Sequence, residues 1–308
     1  MKTYLICEKG LEYSEKWQKK CWINIEEPNQ DDKTYLLDTI KIPEAFYNDI
    51  EDIDERPRIE FEDGWFLIIL RVPIKTNDTK LPFSTVPLGI VFNDDFFTSI
   101  CFYKTEMITD FIQFTKRKNI TIKDNFDLVL RIHLSSSVWF MKYLKQINQN
   151  IKLAEQELEQ SIKNEDLQTL FQIEKCLVYF ATSLKANDIL AHRIKNLKDF
   201  KHSYDEDLVE DVDIELRQAL EMTNIYSDIL TGMMDAYASV ISNNLNVIMK
   251  RLTSISIILM IPTLIASLYG MNVPNFLEEN NFGFVGILFV SALISIFAII
   301  SFRKYKWF

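Results

Sequence analysis

Between Asp235 and Gly270, the positions spaced alternately four and three apart are Asp235, Ser239, Ser242, Asn246, Met249, Thr253, Ser256, Met260, Thr263, Ser267 and Gly270. Not one is a branched aliphatic or an aromatic, although the later ones lie inside a long uncharged apolar segment. The seam one residue earlier is the opposite: Ala238, Ile241, Leu245, Ile248, Leu252, Ile255 and Leu259 form an apolar packing stripe. Hydroxyl and amide oxygens at membrane depth face a bundle interior or water. The alternative is a close helix contact, which Ser, Thr, Gly and Ala also permit. The stripe runs several turns below the apolar segment and ends in a carboxylate, which close packing does not require, so a watery axis is the preferred reading. A ring of Asp235 carboxylates would concentrate cations at an inner mouth. The stripe holds no His or Cys, a donor set suited to hard, oxygen-seeking ions rather than softer metals.

The elements that must carry this chemistry are two uncharged spans, Leu252 to Tyr269 and Phe284 to Phe302, each about the length of a bilayer core. They flank the tetrapeptide Tyr269-Gly270-Met271-Asn272, which therefore sits where the chain turns back at the far membrane surface. Lys250 and Arg251 precede the first span, and Arg303, Lys304 and Lys306 follow the second. The connecting loop carries Glu278 and Glu279 and no Lys or Arg. Basic flanks stay cytoplasmic, so both termini are expected in the cytosol of a multi-pass protein of the cell (inner) membrane. Tyr305, Trp307 and Phe308 suit an interfacial anchor. The first residues lack the apolar core of a signal peptide, leaving the two spans to direct insertion.

The composition of the whole chain, 308 residues with a net charge of -10, excludes several classes. The acidic balance and the lack of a basic, aromatic-laced stripe argue against nucleic acid. Cys7, Cys21, Cys101 and Cys176 are too scattered for a metal-ligand motif and read as reduced thiols, and His133, His192 and His202 form no zinc pattern. No nucleophile elbow, phosphate loop or dinucleotide fingerprint is present, so no enzyme is expected.

Punctuation divides this region. Pro28, Pro43, Pro57, Pro73, Pro82 and Pro87 precede a proline-free stretch that lasts until Pro262. Strands are expected over Thr3–Cys7, Cys21–Ile25, Arg58–Phe61, Trp65–Val72, Val86–Phe92 and Phe96–Phe102, with turns at Glu62-Asp63-Gly64 and Asn93-Asp94-Asp95. Short helices are expected over Asp31–Thr39, Pro43–Ile53 and Glu106–Lys116. Long helices follow over Asp124–Ser161 and Glu165–Phe200, then one from Asp205 to Tyr269, on the order of 100 Å long and needing support from other helices, most simply copies of itself. The expected organisation is an α/β cytosolic domain (1–120), a helical region with a stalk helix (121–250), a pore-lining transmembrane helix (251–270), an external loop (271–283), a second transmembrane helix (284–302) and a basic tail (303–308).

Gly270-Met271-Asn272 between a first and a final span resembles the signature of the CorA family of magnesium channels, here within Ile265-Ala266-Ser267-Leu268-Tyr269-Gly270-Met271-Asn272 and before the basic tail Arg303-Lys304-Tyr305-Lys306-Trp307. Trp22-Ile23-Asn24-Ile25 and Arg56-Pro57-Arg58-Ile59-Glu60-Phe61 resemble family segments in matching order, so the resemblance covers essentially the whole chain. It implies a homopentameric funnel in which the first span lines the pore and the second packs outside. It implies passive Mg²⁺ influx, with Co²⁺ or Ni²⁺ as further ions and Zn²⁺ as carried by ZntB relatives the alternative within the superfamily. ZntB proteins usually depart from Gly-Met-Asn. A non-conducting, membrane-tethered coiled-coil scaffold is the alternative outside it. By the same resemblance Gly270, Met271 and Asn272 form the selectivity filter, where neutral amide oxygens accept hydrogen bonds from a still-hydrated ion. As a residue, Asn272 also suits a helix C-cap. Asn246, Met249, Leu252, Met260, Thr263 and Ser267 fall along the pore, and Met249 with Leu252 matches a hydrophobic gate. Two departures stand out: family members often carry Gly where Ser267 stands, and Pro262 is one position from the proline of some members. Glu278 and Glu279 either raise cation concentration at the mouth or belong to an ordinary loop.

Asp205, Glu206, Asp207, Glu210, Asp211, Asp213 and Glu215 crowd seven carboxylates into eleven residues. Such runs are commonly solvated faces or acids at a helix start. By the resemblance, however, Asp211 falls on a carboxylate that binds regulatory Mg²⁺ across a subunit contact, with Asp49 as its partner. Opposed carboxylates repel unless a cation bridges them, so cytosolic Mg²⁺ would favour the closed state and its depletion the open one.

Overall fold

The structure is a computed structural model, and it describes residues 2–7, 9–78, 81–160, 164–197, 205–271 and 282–305. The chain divides into two compact units, Met1–Thr231 and Gly232–Phe308.

The first unit is built on one seven-stranded sheet: β1 (Lys2–Cys7), β2 (Leu11–Ser14), β3 (Trp22–Glu26), β4 (Arg58–Glu62), β5 (Trp65–Lys75), β6 (Phe83–Phe92) and β7 (Phe97–Cys101). Their order is β2-β1-β3-β7-β6-β5-β4, antiparallel except between β3 and β7. The anticipated strands all form, with shifted ends, and β2 is an edge strand that the sequence reading did not name. Asp63 and Gly64 both take positive φ (50° and 81°), the geometry that a two-residue hairpin between right-twisted strands demands. At the other turn Asn93 Oδ1 accepts from the amides of Asp95 and Phe96, at 2.9 and 2.8 Å.

Helices cover both faces. On one lie α1 (Gln30–Thr34), which runs into a π-helical turn over Tyr35–Ile40, and α2 (Glu44–Glu51). Asn29 and Asp32 close a capping box at the start of α1, and Lys41, in the left-handed region, ends the π turn. Register aligns Ile69, Gly89, Ile100 and Ile25 in one row across β5, β6, β7 and β3. The gap at Gly89 receives Ile50 of α2: a Cβ on Gly89 would lie 2.2 Å from Ile50 Cδ1. Glycine there sets how closely α2, and with it Asp49, approaches the sheet. The same face is sealed by Leu36, Ile40, Phe46 and Tyr47, all buried.

On the opposite side pack α3 (Glu106–Lys118), α4 (Asn125–Gln160) and α5 (Asn164–Lys195). A strand proline is accommodated here. Pro87 lies opposite Arg71, whose backbone N–H and C=O are both bonded by the Asn187 side chain of α5, at 3.0 and 2.8 Å, rather than by β6. A proline lacking its N–H therefore costs that pair nothing. The Arg71 guanidinium donates to Thr85 O at 2.7 Å, to Glu55 O at 3.3 Å and to Ile53 O, and Thr85 Oγ1 meets Ser183 Oγ at 2.7 Å.

Helix α6 (Glu206–Tyr269) continues through Pro262, which removes the donor for the Ile258 carbonyl without ending the helix. Its buried residues in the first unit are Leu208, Val209, Val212, Leu216, Ala219, Thr223 and Leu230. The second unit holds its remainder and α7 (Gly283–Lys304). Among the described residues, α6 and α7 are the two helices long and apolar enough to cross a membrane.

Candidate functional site

Within the C-terminal unit each helix shields one side. On α6 the shielded positions are Ser254, Ile258, Ile261, Pro262, Ile265 and Tyr269; on α7 they are Gly283, Ile287, Ser291, Ser295 and Ala298. The polar stripe is elsewhere. Asp235, Ser239, Ser242, Asn246, Met249, Thr253, Ser256, Met260, Thr263, Ser267 and Gly270 are all exposed, about 100° or more around the helix from the shielded side. Leu252 and the rest of the apolar seam except half-buried Ile241 are uncovered too, with Leu245, Ile248 and Leu259 at 57, 57 and 65% exposure. One chain thus leaves two adjacent faces of its first apolar helix open, one polar and one apolar.

The hydroxyls add a chemical sign to the stripe. Ser239 Oγ donates to Asp235 O, Ser256 Oγ to Leu252 O and Thr263 Oγ1 to Leu259 O, each at 2.9 Å. With the hydrogen engaged by the helix, what each hydroxyl presents outward is lone pairs. These three outward acceptors suit water bound to a cation. At the end of the helix the Gly270 amide closes the last turn on Ala266 O at 2.9 Å, and Met271 is exposed. Asn272, Glu278 and Glu279 lie outside the described residues. Lys250, Arg251, Arg303 and Lys304 are exposed at the basic ends of the two helices.

The two candidate sensor carboxylates belong to the first unit. Asp49, near the end of α2, is not free: its Oδ2 accepts from Arg58 at 2.7 Å. The same guanidinium reaches Glu60 Oε1 at 2.8 Å and pairs with the carboxylate of Glu55. Asp211 is exposed on α6, while its neighbours take local partners. Lys195 pairs with Asp213 at 3.5 Å and Lys123 with Asp205 at 3.1 Å. Asp205 also caps α6 by accepting from the Leu208 amide, and these two bonds hold its carboxyl below the usual range, the Lys123 bond most. Part of the acidic run is therefore helix-start chemistry. All these donors are carboxylate oxygens, the type that Mg²⁺ prefers. Among the described residues, however, no group of three or more candidate ligands converges within the chain, so Asp49 and Asp211 fit a regulatory cation only as halves of a shared site.

Sequence reasoning missed Arg58 as the counter-ion of Asp49, although it quoted Arg58 for another reason. It also missed the Asn187–Arg71 clamp, whose partners are 116 residues apart and leave no local signal.

The description "CorA-like Mg2+ transporter protein" belongs to a family model that matches residues 17–304. The chain is 26% identical over 292 residues to the cobalt/magnesium transport protein CorA of Methanocaldococcus jannaschii, covering 93% of this chain and 90% of that one. It is 24% identical over 295 residues to the protein of the same name from Thermotoga maritima, covering 93 and 83%. The complete structure of the CorA magnesium transporter from M. jannaschii superposes with a TM-score of 0.87 at 23% identity, over 100% of this chain and 99% of that one, which shows the shared fold. With nearly its whole length matched, from the sheet through both apolar helices, the chain belongs to the family of CorA-like Mg²⁺ transporters.

Proposed function

We propose that this protein is a channel for passive Mg²⁺ influx across the cell (inner) membrane, with Co²⁺ as a second ion, as the names of its two relatives indicate for them. The first apolar helix lines the pore, the second packs outside it, and both termini face the cytosol. The observation that carries this reading is the open polar stripe on α6, three of whose hydroxyls present acceptors outward, distinct from the side that the C-terminal unit shields. Copies of the helix gathered about an axis, five of them by family resemblance, would turn this stripe inward and the apolar seam against one another. Met249 and Leu252 then form a narrow apolar gate, and Asp235 gathers cations below it. Gly270, Met271 and Asn272 crown the axis as the filter, with Glu278 and Glu279 at its mouth.

A hydrated ion fits this chemistry. Mg²⁺ gives up water reluctantly, and neutral amide and hydroxyl oxygens accept hydrogen bonds from its inner shell without holding it as carboxylates would. Asp49 and Asp211 of adjacent copies form the regulatory site, and a cation there competes with Arg58 for Asp49. The domain partition that serves this function is 1–120, 121–250, 251–270, 271–283, 284–302 and 303–308.

The test is flux into proteoliposomes under an imposed voltage, comparing Mg²⁺, Co²⁺, Ni²⁺ and Zn²⁺. Voltage-driven Mg²⁺ entry that is lost in Asn272→Ala supports the reading. Zn²⁺ entry without Mg²⁺ moves the protein to the zinc-carrying branch, and no flux of any ion leaves a tethered scaffold.

A further inference from the structure

With 44 acidic residues against 34 basic ones, carboxylates are in surplus along this chain. Lys19, Lys116, Lys123 and Lys195 each hold one, at 3.2, 3.0, 3.1 and 3.5 Å. Lys75, Lys104 and Lys142 hold none among the described residues, yet all three line one cavity of about 530 Å³ in the N-terminal unit. They come from three elements: Lys75 ends β5, Lys104 precedes α3 and Lys142 lies midway along α4. Like charges gathered in one cavity repel one another, and a multiply charged anion among them reverses that cost.

The acids of the cavity do not cancel these charges. Asp110 accepts from Trp139 Nε1 at 3.1 Å and faces Arg117 at 3.9 Å. Burial, and then Glu106, push the pKa of Tyr143 up, so its hydroxyl keeps its proton and donates it to the Glu106 carboxylate. Counting Arg117 beside Asp110, four cations stand against two carboxylates. Lys142 takes an aromatic ring in place of a counter-ion: its Nζ lies 3.5 Å from the centre of the Trp139 ring, a cation–π contact that an anion can replace.

The lining also selects the kind of anion. Among its described residues there is no arginine, so the planar fork that matches a carboxylate is missing. Ammonium groups act as point charges, which suit the tetrahedral oxygens of phosphate. Glu106 and Asp110 disfavour anions of low charge, and the volume is that of a small-molecule site rather than of a single ion. The first turn of α3 adds the positive end of a 13-residue helix.

We propose that this cavity binds the polyphosphate group of a soluble small molecule, with Lys75, Lys104 and Lys142 on its oxygens. A bound chain of phosphates ties the end of β5 to α3 and α4. The site uses none of the residues assigned to the ion path or to the regulatory cation, so it stands or falls separately from the channel.

Titration calorimetry of the full-length protein in metal-free buffer tests this, since chelation of Mg²⁺ cannot then mimic binding. Inorganic tripolyphosphate and ATP should both bind saturably, and adenosine should not. Equal affinities make the phosphate chain the whole of what is recognised, whereas tighter binding of ATP adds a nucleoside to the ligand. The three lysines are exposed, so their substitution leaves the fold in place. Lys104→Gln and Lys142→Gln should each weaken tripolyphosphate binding about tenfold. Lys104→Arg should keep most of the affinity, and Lys152→Gln, an exposed lysine of α4 outside the cavity, should change nothing. No saturable binding of either phosphate compound overturns the site. So does binding that survives Lys104→Gln combined with Lys142→Gln, or adenosine binding as tightly as ATP.

Discussion

The N-terminal unit pairs most of the polar groups it buries, whereas the C-terminal unit leaves most of its own uncovered. In the first, Trp22 Nε1 donates to Ser99 Oγ and Ser99 Oγ donates to Asn24 Oδ1, each at 2.7 Å, in a chain closed at every link. Asn187 completes the edge of β5, and Thr85 meets Ser183. In the second, hydroxyl oxygens and isoleucines stand side by side on open faces of one helix. The difference teaches which solvent each unit was built for. The first finishes its interior within one chain, in water. The second has faces that only lipid, further copies or an ion's water can satisfy.

Breaking the clamp is the most severe test of the first half of that contrast. Asn187→Leu strips the N–H of Arg71 of its partner in a place that the leucine keeps dry and leaves the Arg71 C=O only the 3.4 Å bond from Ser136 Oγ. At about 2 kcal/mol for the orphaned N–H and less for the weakened carbonyl, the N-terminal unit should lose about 3 kcal/mol. Hydrogen exchange of the β5 and β6 amides in the full-length protein measures it. Unchanged protection at Arg71 would show that the clamp is dispensable.

Thr98 Oγ1, Asp127 Oδ1 and His133 are exceptions, and His133 sharpens the contrast. It is fully buried on α4, neither ring nitrogen has a partner among the described residues, and desolvation lowers its pKa from 6.5 to about 4. Above 6.5 both folded and unfolded chains hold it neutral. As pH falls from 6.5 towards 4 the unfolded chain takes up a proton that the native one refuses, so stability is lost across that window. The loss approaches about 3 kcal/mol near pH 4. His133→Leu should flatten this part of the pH profile, and an identical profile in the variant would assign the acid sensitivity to other groups.

How far the sequence carried differs between the units for the same physical reason. The apolar spans, the polar stripe and the hairpin at Asp63-Gly64 are local patterns, and period and turn chemistry expose them directly. β2 is four residues long at an edge and leaves little periodicity to read. The clamp, the seating of Ile50 at Gly89 and the hold of Arg58 on Asp49 depend on which segments meet after folding. The last of these changes the candidate sensor most. Asp49 read alone is an unpaired carboxylate, but in the fold it already has a cation beside it.

The mildest substitution on the fold falls on the stripe itself. Ser256→Ala with Thr263→Val keeps the helix, removes two hydroxyls of nearly unchanged size and touches no buried contact, since both positions are exposed. The N-terminal unit should keep its hydrogen-exchange protection within about 0.5 kcal/mol. Conduction should not be spared. Each lost acceptor withdraws about 1 kcal/mol of hydrogen bonding from the water around a passing ion, so with two removed Mg²⁺ flux should fall roughly thirtyfold. Ser254→Ala, on the shielded side about half a turn around the helix, removes the same hydroxyl where no ion would pass and should leave flux near wild type. Equal flux in all three proteins would mean that the acceptor row faces something other than the ion path. The open polar face of α6 would then belong to a helix contact, the alternative that small residues always allow.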